Sequence, residues 1–383
     1  MKRDLSNEEL SRYARHFALP EFSMKSQQQL KNARVTIIGA GGLGLPVLQY
    51  LAAAGCGHIR IIDPDTVERM NLQRQILFSE TDIGKAKAVC AAQWVQKFNK
   101  HIEVESIVDL LNSANAYTYL KDVDLIVDAT DNFPARYLLC DASWFLKIPV
   151  IYGAVYRYSG QISVLNLQDK TGRLSPNYRD LFPNPPAPGQ VPDCSIGGVL
   201  GSLTGVIGTM MSVEALKIIT GIGKSLAGKL LMYDAINNST QSFGFQHRPD
   251  NPLSGNSPDI DRLIDYELFC GYAEKIPDVA GISVDELHRL MQSGKQPVML
   301  DVREAFELEF MRFEAVNIPE NELGENMDKI PSYDPLIVYC KAGIRSARVV
   351  QKLKALLPDR SIFNLQEGIM AYKRRYRPDW PEY

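Results

Sequence analysis

Six residues, Gly39-Ala40-Gly41-Gly42-Leu43-Gly44, constrain this chain more than any other stretch. They follow a short apolar run, Val35-Thr36-Ile37-Ile38, and precede a helix-like run from Leu45 to Ala54. Strand, glycine turn, helix is the context that gives a glycine-rich loop its meaning. Glycines let the backbone turn sharply and approach a bound group closely. The amides that open the next helix then face that group, with about half a positive charge from the helix dipole. The loop is built to meet a phosphate, and NAD is the usual ligand of such a loop taken alone.

Strands and helices alternate after it. Ile59–Ile62 reads as a strand ending at Asp63, 85–98 as a helix and 103–108 as a strand. Asp124–Val127 reads as a strand ending at Asp128, 133–145 as a helix and 150–152 as a strand. This alternation predicts an α/β fold, a Rossmann-like, mostly parallel sheet with helices on its faces. Ligands sit at the carboxyl ends of such strands, where Gly39, Asp63 and Asp128–Asp131 all fall. Residues 1–33 read as helical, and the proline-rich stretch from Ser175 to Pro192 as a long mobile loop. A second, smaller α/β pattern begins near Ile276. The expected division is a first domain over 1–245, a linker over 246–275 and a second domain over 276–383.

The chain has 383 residues, enough for two or three domains. A net charge of −3 gives no reason to expect nucleic acid or an anionic membrane as partner. The six cysteines, Cys56, Cys90, Cys140, Cys194, Cys270 and Cys340, are widely dispersed. That suits reduced thiols in a cytoplasmic protein better than a disulfide scaffold. The N-terminus lacks the apolar core of a signal peptide. Cys194–Val213 runs 20 residues without a charge, long enough to span a bilayer. Its Gly, Ser and Thr content, with Glu214 and Lys217 just beyond, favours a buried, closely packed helix.

A nucleotide loop needs a group for the ribose and groups for the phosphates. Asp63 lies 19 residues after Gly44, at a strand end, and suits ribose hydroxyls; a turn aspartate is the bland alternative. NAD enzymes normally need no further cations, yet Asn71-Leu72-Gln73-Arg74-Gln75, Lys85 and Lys87 follow. A guanidinium and an ammonium neutralise a triphosphate; each taken alone is an ordinary surface charge. Asp131 can hold Mg²⁺, cap the helix that follows, or do both.

Taken together, Gly39–Gly44, Asp63-Pro64-Asp65-Thr66-Val67, Asn71–Gln75, Ile83–Lys87 and Thr130-Asp131-Asn132-Phe133 with Arg136 resemble the MoeB/ThiF family over about residues 5–245. These adenylyltransferases are related to ubiquitin-activating enzymes. The resemblance implies Mg-ATP as cofactor and a ubiquitin-like sulfur carrier ending in Gly-Gly as partner, its carboxylate becoming an acyl-adenylate. It implies a nucleotide set of Gly39, Gly41, Gly42, Gly44, Asp63, Asp65, Asn71, Arg74, Lys87, Asp131 and Asn132. Within it Asp63 takes the ribose, Arg74 and Lys87 the phosphates, and Asp131 the magnesium. Arg15 matches an arginine given to the ATP site of a second subunit, which implies a homodimer; read alone it is a charge on an amphipathic helix. Cys194 matches a loop cysteine that in some members links covalently to the carrier; an inert thiol is the equal alternative.

One departure is definite. Most relatives carry two C-x-x-C pairs around a structural zinc. Here Asn177-Tyr178-Arg179-Asp180 and Asn251-Pro252-Leu253-Ser254 stand in their places. Without Cys or His ligands no zinc is expected.

In the second domain Cys340-Lys341-Ala342-Gly343-Ile344-Arg345 follows a strand and opens a helix. Amides, helix dipole and neighbouring cations favour a thiolate and a persulfide anion there; a buried structural cysteine is the alternative. With Leu300–Glu304 and Gln366–Ile369, the stretch resembles a rhodanese domain over about 276–383. The C-x4-R spacing is that of the sulfurtransferases, with Arg345 lining or bracing the loop. The usual His-x-x-Gly stretch is absent at Phe313–Pro319.

The expected activity joins both domains: adenylylation of the carrier, then sulfur transfer from a Cys340 persulfide to give a thiocarboxylate. The implied pathway is of molybdopterin or thiamine type, and the sulfur donor a persulfide source such as a cysteine desulfurase. The rivals are an NAD-dependent oxidoreductase fused to a sulfurtransferase, and a carrier-binding scaffold without activation.

Overall fold

Apolar β-branched runs between helical segments build the first sheet, as seen in a computed structural model that describes residues 4–186, 198–271, 277–294 and 297–381. Its strands are β1 (Arg34–Ile38), β2 (His58–Ile62), β3 (Glu103–Ile107), β4 (Leu125–Asp128), β5 (Val150–Tyr156), β6 (Ser159–Leu165), β7 (Lys229–Asp234) and β8 (Ser239–Gly244). They lie in the order β3-β2-β1-β4-β5-β6-β7-β8. The first five are parallel, and β5 to β8 turn antiparallel. The chain leaves β1 toward β2 and β3, then returns to place β4 on the other side of β1. That reversal opens a crevice at the carboxyl ends of β1 and β4, the place where ligands bind such sheets.

The helix Gly44–Ala54 buries Leu45, Val47, Leu48 and Leu51 against the sheet. Beside it lies the helix Gly201–Thr220, which adds Leu203, Ile207 and Met211 to the same core. This helix is long and apolar enough to cross a membrane by length and composition, and it begins later than the uncharged stretch suggests. One face is buried as expected, while Val206 and Val213 on the other are exposed. Residues 1–33, expected as helical, form three short helices within the described part: Asn7–Arg12, Ala14–Phe17 and Met24–Asn32.

Two expectations need correction. The stretch 246–275, read as a linker from its Pro, Asn and Ser content, is folded onto the first unit for most of its length, and that unit extends over 1–272. Leu253, Tyr266 and Cys270 are buried in its core, and the helix Tyr266–Phe269 packs against Phe133–Leu146. The Tyr266 hydroxyl donates to Asp141 at 2.8 Å. The proline-rich loop is likewise folded in its first half. Arg179, wholly buried on the helix Tyr178–Leu181, forms a bidentate pair with Asp141 at 2.8 Å. Its guanidinium lies between the rings of Tyr137 and Phe269.

These two segments meet at the four positions that replace the C-x-x-C pairs. Asn177 donates to Ser254 at 2.8 Å, and Asn251 donates to both Asn177 (3.1 Å) and Asp180 (2.6 Å). Asp180 also accepts from the Arg248 amide, and the Asn251 carbonyl oxygen accepts from the amides of Leu253 and Ser254. A hydrogen-bonded knot thus occupies the point where thiolates would converge.

The second unit, 273–383, holds an all-parallel sheet. Its strands are β9 (Gly281–Ile282), β10 (Val298–Asp301), β11 (Val316–Asn317), β12 (Leu336–Tyr339) and β13 (Ile362–Leu365), in the order β11-β10-β12-β13-β9. Central β12 is buried along its whole length and delivers Cys340 at its carboxyl end. The helix Ile344–Leu356 covers one side through Val349, Val350 and Leu353.

Candidate functional sites

The first candidate site is the crevice beyond β1. Gly39, at φ +96°, turns the chain so closely against β4 that an added Cβ would stand 2.7 Å from the Ala129 carbonyl. Gly44 is tighter still, since its Cβ would lie 1.9 Å from the Gly39 carbonyl oxygen. Only glycine permits this turn, which carries Gly41 and Gly42 between strand and helix.

Asp63 ties the turn to the end of β2. One carboxylate oxygen accepts from the Ala40 amide at 2.7 Å, the other from the Asp65 amide at 2.8 Å. Burial pushes its pKa up, while Lys87 and the two amides pull it back. Asp63 therefore shapes the loop itself, a role its place in the sequence did not reveal. Lys87 is almost fully buried, and its ammonium donates to Asp65 at 2.9 Å. Asn71 is buried, its side chain accepting from the Glu68 amide. Arg74 is half-buried and donates to the Met70 carbonyl at 3.3 Å.

At the end of β4, Asn132 caps the helix Phe133–Leu146 by accepting from the Ala135 amide at 2.9 Å. The cap is Asn132, so Asp131 is left exposed with its carboxylate outside that bond. Asp128 is buried and accepts from the amide and hydroxyl of Thr130; burial raises its pKa, and Arg136 opposes the rise.

Some residues lie elsewhere. Arg15 is exposed on the helix Ala14–Phe17 and makes no hydrogen bond to the glycine loop among the described residues. Cys194 falls in 187–197, outside the described residues. Gln75 was overlooked as a site residue. It is buried, its Oε1 has no hydrogen-bond partner, and its Nε2 lies 3.8 Å from where a Gly41 Cβ would stand. An orphaned buried oxygen facing a phosphate loop suits a ligand that brings a donor.

The second candidate site is the loop after β12. Cys340 is buried, and its sulfur accepts from the Gly343 amide at 3.1 Å and the Ser346 hydroxyl at 3.3 Å. Gly343, at φ +87°, passes so close to the chain after β13 that a Cβ would meet the Gln366 carbonyl oxygen at 1.9 Å. Arg345 braces the loop through a bidentate pair with buried Glu307, at 2.8 and 2.9 Å. Below it, Asp301 and Arg303 form a second buried bidentate pair. Ser346, Glu307 and the pair Arg348–Glu320 were not singled out from the sequence. A serine one residue past the arginine was the available signal for the first; the others depend on long-range partners.

The ThiF family profile matches residues 13–253, and the rhodanese-like domain profile matches residues 283–375. The chain is similar to a probable adenylyltransferase/sulfurtransferase, MoeZ, of Mycobacterium tuberculosis. The two are 40% identical over 386 residues, covering 99% of this chain and 96% of the relative. A sulfur carrier protein adenylyltransferase of Thermus thermophilus is 46% identical over 266 residues, covering 70% of this chain and 98% of its own length. Among solved structures, E. coli MccB matches with a TM-score of 0.58 at 23% identity, over 68% of this chain and 76% of that one. At that identity the likeness concerns the fold.

Proposed function

We propose that this chain, which belongs to the ThiF family and carries a C-terminal rhodanese-like domain, activates a ubiquitin-like sulfur carrier with ATP and delivers sulfur to it. The carrying observation is that one polypeptide holds both a phosphate-facing glycine loop locked by Asp63 and a cysteine cradled by its own loop amide. The adenylyltransferase and sulfurtransferase names of its full-length relative support the pairing.

In the first step a carboxylate oxygen of the carrier's terminal glycine attacks the α-phosphorus of ATP. An acyl-adenylate forms and pyrophosphate leaves. The glycine-loop amides receive the phosphates, and Arg74 offsets developing charge. Lys87, held by Asp65 in the free protein, moves its partnership to the triphosphate. Asp63 accepts from the ribose with the lone pairs its two amide bonds leave. Asp131 would hold Mg²⁺, which supplies charge neutralisation when bound.

In the second step a Cys340 persulfide attacks the acyl carbon, AMP leaves, and an acyl disulfide joins carrier and enzyme. A thiol then cleaves the S–S bond, releasing the thiocarboxylate and forming a new disulfide with Cys340. Cys194 is one candidate for that thiol. The donor that loads Cys340 is a persulfide such as that of a cysteine desulfurase, and the pathway is of molybdopterin or thiamine type.

We infer a homodimer in which Arg15 serves the second ATP site; the exposed Val206 and Val213 face supports it. The knot of Asn177, Asp180, Asn251 and Ser254 supports a first domain that needs no zinc. The wide dispersal of the cysteines, with Cys56, Cys90, Cys140, Cys270 and Cys340 free among the described residues, supports a cytoplasmic setting.

Carrier-dependent ATP–pyrophosphate exchange tests the first step, and a mass increase of about 16, the replacement of O by S, tests the whole. Failure of exchange with every Gly-Gly carrier offered sinks the reading and leaves the scaffold.

A further inference from the structure

Two of the cations that follow Cys340, Arg345 and Arg348, are engaged by carboxylates of their own domain. Arg345 is bound by Glu307, and Arg348 by Glu320 through two bonds of 2.8 Å. Arg348 is within electrostatic reach of both the Cys340 sulfur and Arg345. Glu304 and Glu322 come from the same acidic stretch, and Glu304 feels Glu307, Arg345 and Glu322. Each of the two arginines therefore spends its guanidinium fork on one carboxylate, Arg345 on Glu307 and Arg348 on Glu320, with Glu304 also within electrostatic reach of Arg345.

We propose that Glu307 and Glu320 set the sulfur-donor selectivity of Cys340, by neutralising the arginines a small dianionic donor needs and so favouring a thiol-borne persulfide. The inference rests on Cys340 being the sulfur relay. With a persulfide donor, the Cys340 thiolate attacks the outer sulfur, the donor S–S bond breaks, and the donor leaves as a thiolate. Cys340 keeps one extra sulfur. With thiosulfate the same attack expels sulfite, so both routes give one product and differ in the charge that must approach. A doubly charged anion is drawn by cations that are not already compensated. A persulfide carries one charge on a thiol stem and depends more on the loop amide, which the Gly343 bond shows is aimed at the sulfur.

Glu320→Gln tests this, because Glu320 is only partly buried and the change keeps its shape while freeing Arg348. Cyanide is the acceptor for the full-length chain, and kcat/KM is measured with thiosulfate and with mercaptoethanol persulfide, whose stem is uncharged. The ratio of thiosulfate to persulfide efficiency should rise about fivefold or more in Glu320→Gln. It should return to the wild-type ratio in Glu320→Gln/Arg348→Gln. An unchanged ratio in the single variant, or a gain that survives in the double variant, overturns the proposal. A wild-type chain as efficient with thiosulfate as with the persulfide also overturns it while leaving the relay standing. Intact mass separates the remaining case: if neither donor adds about 32, one sulfur, to Cys340, the relay fails and the selectivity falls with it.

Discussion

The glycine loop of the first unit and the cysteine loop of the second are the same device put to different ends. Each follows a buried central strand, turns on a glycine at positive φ, and opens a helix. In the first loop no nucleophile is present. Its Gly39 and Ala40 amides are held by Ile62 and Asp63, Gln75 keeps an oxygen without a partner, and Lys87 is held by an exposed carboxylate. In the second the group the turn faces is the protein's own Cys340 sulfur, which already accepts from an amide and a hydroxyl while the loop arginine is paired with Glu307. One loop awaits a visitor; the other has its occupant. The difference teaches that the turn supplies a field for an anion, while the surrounding side chains decide whether that anion is substrate or residue.

The largest effects should come from separating the two. Cys340→Ser is expected to abolish thiocarboxylate formation, with residual product below about 1% of wild type, because the proposed relay draws its sulfur nucleophile from Cys340. Arg74→Ala should lower carrier-dependent ATP–pyrophosphate exchange about 100-fold or more, the scale for removing one charge-stabilising group. Its Cys340 should still take up sulfur from a persulfide at the wild-type rate. If Arg74→Ala also slowed that loading, the loops would not be independent.

Next come the turns. Gly44→Ala and Gly343→Ala each place a Cβ 1.9 Å from a carbonyl oxygen, a clash neither backbone can absorb cheaply. Each should cost more than about 4 kcal/mol, at the diagnostic end of point substitutions. Calorimetry should show a different transition lowered in each variant, since the two turns lie in different units. A shared loss in both variants would mean the units unfold as one.

Both loops were legible in the sequence because their signals are local. Gly39–Gly44 and Cys340–Arg345 each announce a strand end, a turn and a helix start within a few residues. What surrounds them was not. Glu307 meets Arg345 from 38 residues away, and Asn177 meets Ser254 across 77. Hydrogen bonds between polar side chains leave no periodicity to read. The 246–275 stretch misled for a related reason. Its Pro, Asn and Ser content is that of a linker and outweighed the apolar residues of 253–270, of which Leu253, Tyr266 and Cys270 are buried and Ile260, Leu263, Ile264 and Phe269 pack against the same core.

The knot offers a smaller and sharper test of that hidden support. Asn251→Ala takes one donor from Asp180 and one from the Asn177 carbonyl oxygen, which keep the amides of Arg248 and Arg179, and leaves the amides of Leu253 and Ser254 without their side-chain acceptor. A loss of roughly 2–3 kcal/mol in urea unfolding is expected, the range for buried groups deprived of a partner. Ser254→Ala, which removes one bond, should cost about 1 kcal/mol. A chelator should change neither the wild-type nor the variant midpoint; a drop in the wild type would point to a metal in the first unit.

The smallest effect concerns the electrostatics of the waiting loop. Burial raises the pKa of Asp63 above its ordinary 3.8, so the folded chain holds that proton more tightly than the unfolded chain does. Between 3.8 and the raised value the unfolded carboxyl is already charged and the folded one is not. The contribution of Asp63 to stability therefore falls as pH climbs through that window, and its cost is complete above it. Carbon NMR of the side-chain carboxyl should follow a titration above 3.8 in the free protein. Lys87→Met should move it further up, because Lys87 opposes the rise. A midpoint at or below 3.8 would mean that the Ala40 and Asp65 amides outweigh burial. The first loop would then be as fully compensated before its ligand arrives as the second is around its own sulfur, and the contrast between them would fail.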